Sequence, residues 1–166
     1  MLSRIKKAGV REMITDEELS KGMLTLKVIW LGMLGSLVIY LVLGLVIVTN
    51  LKTSIDESIY PLLKPVLYIL TVVVLITTRY ITKYILSGKG QPKRVARSFD
   101  HPALQKYAPA MILAWAMSES IGVFGLILFL LGKNPTDLYL LTLISAAAML
   151  VYRPKKDELI SLSQRS

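Results

Sequence analysis

Four blocks of apolar residues account for most of this chain and limit what it can fold into. They cover residues 23–48, 61–86, 109–131 and 138–152. A helix rises about 1.5 Å per residue, so the first three blocks can cross a hydrocarbon core of about 30 Å, while the fourth is short. A soluble domain of this length could not hide a hydrophobic fraction of 54% from water. The sequence therefore predicts an all-α polytopic integral membrane protein, an antiparallel bundle of four transmembrane helices.

Three polar segments border the predicted spans. In residues 1–22, Thr15 and Glu18 have the spacing of a capping box, so we expect a short interfacial helix from Asp16 that precedes or runs into the first span. Residues 87–107 form a basic loop with helix-breaking glycines and prolines, and residues 153–166 form a basic tail. The first apolar block is too long for the h-region of a cleavable signal peptide.

The distribution of basic residues predicts the orientation. Sixteen of the 20 lysines and arginines lie in the N-terminal segment, the central loop with its edges, and the C-terminal tail. The two other loops hold only Lys52 and Lys133, and Lys27 and Lys64 lie inside spans near their ends, where long side chains can snorkel to the headgroups. The positive-inside rule then places both termini in the cytoplasm. We expect a bacterial cytoplasmic membrane, because no organelle-targeting segment is evident.

The composition excludes several kinds of site. There is no cysteine and His101 is the only histidine, which excludes disulfides, thiolate sites and multi-histidine metal or haem sites. No nucleophile with its base, phosphate-binding loop or pair of catalytic carboxylates is recognisable. We therefore expect no enzyme activity, no catalytic residue, no metal and no cofactor. The net charge of +9 is what membrane topology alone produces, so no nucleic-acid partner is expected.

Glu119 is a carboxylate close to the bilayer midplane. It lies about 15 Å into the third span at helical rise, too deep for its side chain to reach the headgroups. Such a group must be protonated, paired, or turned toward protein or water, and it is a candidate ion or proton site. The alternative is a neutral or hydrogen-bonded packing residue that joins two helices. Side chains predicted at similar depth are Tyr40, Thr71, Thr142 and Ser145.

Small residues recur along the same span as Glu119. Four of them are spaced four positions apart: Ala110, Ala114, Ser118 and Gly122. A further small residue, Gly125, lies nearby. Gly32 and Ser36 repeat the four-residue spacing in the first span. This pattern lets helix backbones approach closely. It predicts helix packing, either within the bundle or against other membrane protein subunits.

Residues 100–131 resemble one part of a known family. Asp100, His101 and Pro102 resemble the polar loop of ATP synthase rotor-ring proteolipids (the c subunits), and residues 120–126 resemble the stretch after that family's ion-binding carboxylate. Glu119 stands at nearly the same distance beyond the loop as that carboxylate. The resemblance implies that Glu119 binds and releases a proton or Na⁺.

The basic loop suggests a contact with anionic lipid headgroups or an acidic partner through Lys93, Arg94 and Arg97, although orientation alone also explains it. Taken together, the sequence predicts a non-enzymatic subunit or accessory protein of a larger membrane complex. The small soluble parts, the short fourth span and the small-residue faces favour this. The alternatives are an ion- or proton-translocating protein that uses Glu119, and a protein that interacts with anionic lipid.

Overall fold

The computed structural model describes residues 15–50, 59–87 and 101–165. Of these residues 92% are helical and none forms a strand, which confirms the all-α class. There are five helices in the described part of the chain: α1 (Asp16–Asn50), α2 (Tyr60–Leu86), α3 (Pro102–Gly132), α4 (Pro135–Val151) and α5 (Lys156–Arg165).

Three of these helices are long and apolar enough to cross a membrane. The candidate spans are Leu19–Val46, Tyr60–Leu86 and Pro102–Gly132. The 17 residues of α4 rise only about 26 Å, slightly less than a hydrocarbon core. With α5, which is bent away by 45°, α4 makes up a possible fourth span.

Helix α3 is the centre of the molecule. It contacts α1, α2, α4 and α5, and α1 also packs on α4. At the α5 end, buried apolar side chains of α1, α3 and α5 meet around Trp115 and Tyr107. Toward the other end, Leu67 of α2, Leu128 of α3 and Leu141 of α4 share a second cluster. The outer faces of α1 and α2 are apolar and exposed, as expected of helices that contact lipid.

Helix α3 begins two turns before the predicted start of the third span. His101 caps it: its Nδ1 accepts a hydrogen bond from Ala103 N at 3.1 Å, and Pro102 occupies the first turn, where no N–H is needed. Pro109, expected at the start of the span, lies inside the helix. Membrane helices tolerate an internal proline because surrounding groups satisfy the freed carbonyl. Residues 102–107 thus belong to α3 and not to the loop.

Helix α1 runs without a break from Asp16 to Asn50. The interfacial helix expected near Asp16 and the first span are therefore one element. The C-terminal tail also differs from the expectation. The sequence predicted only a basic extension there, but the tail contains the helix α5.

The residues of the turn between α3 and α4 end one helix and begin the next. Lys133 ends α3 in the left-handed region with φ 50°. The side chain of Asn134 accepts a hydrogen bond from Thr136 N at 3.0 Å, and Pro135 begins α4. Two residues therefore reverse the chain, which holds α4 antiparallel against α3.

Candidate functional site

Glu119 lies on the face of α3 that packs against α1. Its Oε1 accepts a hydrogen bond from the Tyr40 hydroxyl at 2.9 Å, and Ser36 Oγ is also in hydrogen-bond contact with it. Both partners come from α1, one turn apart. The carboxyl group is thus placed between two hydroxyls in the middle of the helix pair and not in open lipid.

The other three side chains suggested as partners do not bind Glu119. Thr71 donates to Leu67 O within its own helix, and Ser145 donates to Ser118 O at 2.6 Å. Thr142 Oγ1 is buried and has no hydrogen-bond partner in the described residues. Of the four candidates, Tyr40 is the one that reaches Glu119, and Ser36, which the sequence suggested only as a packing residue, joins it.

The proton arrangement around Ser36 is compatible with either charge state of Glu119. Ser36 Oγ lies 2.7 Å from Met33 O and also contacts Glu119 Oε1, but a serine hydroxyl has one proton to donate. If it donates to Glu119, Oε1 accepts two hydrogen bonds, as the oxygen of an ionised carboxylate can. If it donates to Met33, a protonated Glu119 donates to Ser36. The two arrangements differ in the direction of the Ser36 hydroxyl, which one rotation changes, and in the proton on Glu119.

Gly122 explains why α1 comes close enough to reach Glu119. A Cβ added at Gly122 would lie 2.6 Å from Leu37 Cδ2 and 3.6 Å from the Tyr40 ring. The missing side chain lets α1 pack closely one turn away from Glu119. The small residue therefore positions the hydroxyl that binds the carboxyl group.

The rest of the small-residue stripe is inside the protein as well. Ala110, Ala114 and Ser118 are at most 1% exposed. At Gly125 an added Cβ would lie 3.3 Å from the carbonyl oxygen of Leu138, so α3 and α4 are nearly in backbone contact there. This face of α3 is occupied by α1 and α4 of the same chain.

A second polar cluster, which sequence reasoning missed, joins α2 to α4 at the end opposite α5. Asp137 is 1% exposed and accepts hydrogen bonds from Tyr60 at 2.5 Å and Tyr68 at 2.8 Å. Lys64 Nζ forms an ion pair with Asp137 Oδ1 at 3.0 Å. Lys64, expected to snorkel, therefore has a protein counter-ion. The signal in the sequence is the four-residue spacing of Tyr60, Lys64 and Tyr68, which places them on one helix face.

The basic residues Lys93, Arg94 and Arg97 lie outside the described residues. Within the described part of the chain, no group of three His, Asp or Glu side chains is arranged to hold a metal ion. No family model, curated protein or solved structure matches this chain.

Proposed function

We propose that this chain is a non-enzymatic subunit or accessory protein of a larger membrane complex. In this proposal it crosses a bacterial cytoplasmic membrane four times, with both termini in the cytoplasm, and α4 provides the fourth crossing. The sixteen-to-two distribution of basic residues supports this orientation. The main support for a complex is a groove on the outer surface.

The groove lies between α1 and α4 and has a volume of about 390 Å³. We call it the α1–α4 groove; it is lined by apolar residues of both helices together with Tyr139 and Thr142. Thr142 is 6% exposed, and its hydroxyl has no partner in the described residues. A buried hydroxyl without a hydrogen bond costs about 1–3 kcal/mol.

A helix of another membrane subunit is the occupant that suits both features. Its apolar side chains would fill the groove, and, once a small side-chain shift uncovers the buried Thr142 hydroxyl, a carbonyl or polar side chain on it would accept the Thr142 proton. A lipid acyl chain could fill the apolar part but has no group to bond with the hydroxyl. Nearby, an added Cβ at Gly32 or Gly35 meets nothing within 4 Å, so the adjacent surface of α1 also leaves room for a close helix contact.

The test is native mass spectrometry of the assembly purified from its own membrane in mild detergent. We expect the wild type to elute with other subunits. Ala146→Leu, which fills the α1–α4 groove, should release them. The matched control is Ala147→Leu, next in sequence but outside the groove, which should leave the assembly intact. A wild-type protein that elutes alone, or equal effects of the two variants, would contradict the proposal.

The second candidate function is translocation of a proton or ion through Glu119. It is favoured by the two hydroxyls, from Ser36 and Tyr40, that surround a carboxyl group far from either end of α3. Because one hydroxyl rotation accommodates both charge states of Glu119, a proton could be taken up or released without repacking the helices. The local resemblance of residues 100–131 to rotor-ring proteolipids points the same way.

Proton flux into proteoliposomes tests this alternative. Glu119→Gln keeps the size of the side chain and an acceptor oxygen but removes the titratable proton, so flux should be lost while the fold remains. Glu17→Gln, which removes an exposed carboxylate at the start of α1, should retain it. Wild-type protein without flux, or unchanged flux in Glu119→Gln, would exclude the mechanism.

The third candidate function is binding of anionic lipid through the basic loop, and it has its own test. Replacing Lys93, Arg94 and Arg97 by glutamine should weaken salt-dependent binding to anionic vesicles, because such attraction depends on basic charges near the surface. Binding that does not change would exclude a lipid role for the loop.

A further inference from the structure

A basic pocket lies where α2 ends and the chain bends between α4 and α5. Its volume is about 330 Å³. Two of its four basic side chains, Arg79 and Lys83, are one turn apart on α2, and the other two, Arg153 and Lys155, flank Pro154 in the bend. The four cations therefore come from two separate parts of the chain and converge on one cavity.

The pocket has a net positive charge that the protein itself does not neutralise. Among the described residues, Arg79, Lys83 and Arg153 form no ion pair with a carboxylate. Glu158 also lines the pocket, but it lies 3.6 Å from Lys155, and both side chains are about half exposed. Three cations without a carboxylate partner around one cavity favour the binding of an anion.

The bend that carries Arg153 and Lys155 is held in place by two buried aromatic side chains of α3. Trp115 Nε1 donates to Tyr152 O at 2.8 Å. Tyr107 OH accepts a hydrogen bond from Lys155 N at 2.9 Å. Both aromatic side chains are 0% exposed. The backbone on each side of Arg153 is thus fixed before any ligand binds, which lowers the entropy cost of binding.

The walls of the pocket combine this charge with apolar surface. Leu86, Met111 and Val151 line it alongside Thr82, and Val151 is 70% exposed. Val151 is the last residue of α4 and Leu86 the last of α2, so the pocket lies at the level where the candidate spans end. At that level a bilayer presents phosphate groups next to the beginning of its acyl chains.

We propose that this pocket binds the phosphate group of an anionic phospholipid, with the cations on the phosphate and the apolar wall against the glycerol and upper acyl chain. Arginine suits this role because its planar guanidinium forms paired hydrogen bonds with phosphate oxygens. Basic pockets between membrane helices on the cytoplasmic side are a known means of holding such headgroups. The proposal does not depend on the complex-subunit function and involves residues other than the 93–97 loop.

The test measures lipid binding to the full chain in an uncharged detergent, where no anionic surface attracts the protein as a whole. Native mass spectrometry with added phosphatidylglycerol should show one bound lipid, in preference to phosphatidylcholine. The double variant Arg79→Gln/Arg153→Gln should bind about twenty-fivefold more weakly, since each basic charge contributes about a factor of five. The control Lys27→Gln/Lys156→Gln loses the same charge outside the pocket and should stay within about threefold of the wild type.

Several outcomes would overturn the proposal. Equal weakening in both double variants would show that total charge, not the pocket, binds the lipid. Equal binding of phosphatidylcholine would exclude recognition of an anionic lipid. Inorganic phosphate that displaces the lipid at equal concentration would identify a free-phosphate site. Circular dichroism checks that the variants are folded; should the double variant unfold, Lys83→Gln replaces it, with an expected loss of about fivefold.

Discussion

Lys64 Nζ on α2 lies 3.0 Å from Asp137 Oδ1 on α4. The two residues are 73 positions apart in sequence, and their ion pair ties the start of one helix to the first turn of another. Asp137 is fully enclosed, whereas the Lys64 side chain is 39% exposed. This difference in burial decides whether replacing Asp137 or replacing Lys64 should destabilise the protein more.

Removing the carboxylate should destabilise the protein more than removing the ammonium group. Asp137→Ala removes the acceptor of the Tyr60 and Tyr68 hydroxyl protons and the counter-ion of Lys64, and we expect a loss of about 2–4 kcal/mol in the free energy of unfolding. Lys64→Met leaves Asp137 with both tyrosine donors, and should have the smaller effect. Thermal unfolding in detergent measures both, and the reverse order would contradict this account of the cluster.

Tyr40→Phe tests whether the hydroxyl that reaches Glu119 stabilises the contact between α1 and α3. The variant keeps the ring that packs near Gly122 and removes one hydrogen bond, so we expect a loss of about 0.5–1.5 kcal/mol. Tyr139→Phe is the control, because its side chain is 49% exposed on the outer surface of α4. The same loss in both variants would show that the Glu119 contact contributes nothing specific.

Two glycines at helix positions should respond oppositely to alanine. At Gly132 an added Cβ would lie 2.2 Å from the Tyr60 ring, so Gly132→Ala must displace Tyr60 and with it a donor to Asp137. At Gly32 nothing lies within 4 Å, and alanine should stabilise α1 by up to about 1 kcal/mol through its better helix propensity. The melting temperatures of the two variants should therefore move in opposite directions, and a shift in the same direction would be evidence against the packing at Gly132.

Trp115→Phe should loosen the bend between α4 and α5 without changing any charge. The variant leaves the partly buried Tyr152 O without its donor, which costs about 1–3 kcal/mol. Because Arg153 is next in the chain, phosphatidylglycerol binding should weaken as well. The hydrogen exchange rates of the amides of Tyr152, Arg153 and Lys155 should rise, whereas unchanged exchange there would show that Trp115 does not hold the bend.

The helices could largely be placed from the sequence, but several of their ends could not. The apolar blocks mark where α1 to α4 lie, because the thickness of a bilayer sets how many apolar residues a crossing needs. The start of α3 was placed too late, since Pro109 was expected to begin the helix and instead lies within it. The cap at His101 depends on a backbone conformation that hydropathy does not report.

Glu119 stands out in the sequence because a carboxylate in an apolar block is costly in lipid wherever its neighbours lie. Its partner Ser36 does not stand out, and neither does Asp137, because a carboxylate beside a predicted turn is ordinary. The basic pocket was also not foreseen, since Arg79 and Arg153 are far apart in the chain and each has a sufficient explanation in topology.

The sequence by itself determined the helical class, the approximate position of each helix, and that several helices are long and apolar enough to cross a membrane. All three follow from local composition, since each helix satisfies its own backbone hydrogen bonds. The tertiary structure alone decided that Glu119 meets Tyr40, that Asp137 meets Lys64, and that four cations surround one pocket. These pairings depend on how each helix is rotated and how closely its neighbours approach, which is set by packing at residues such as Gly122 and Trp115 and not by hydropathy.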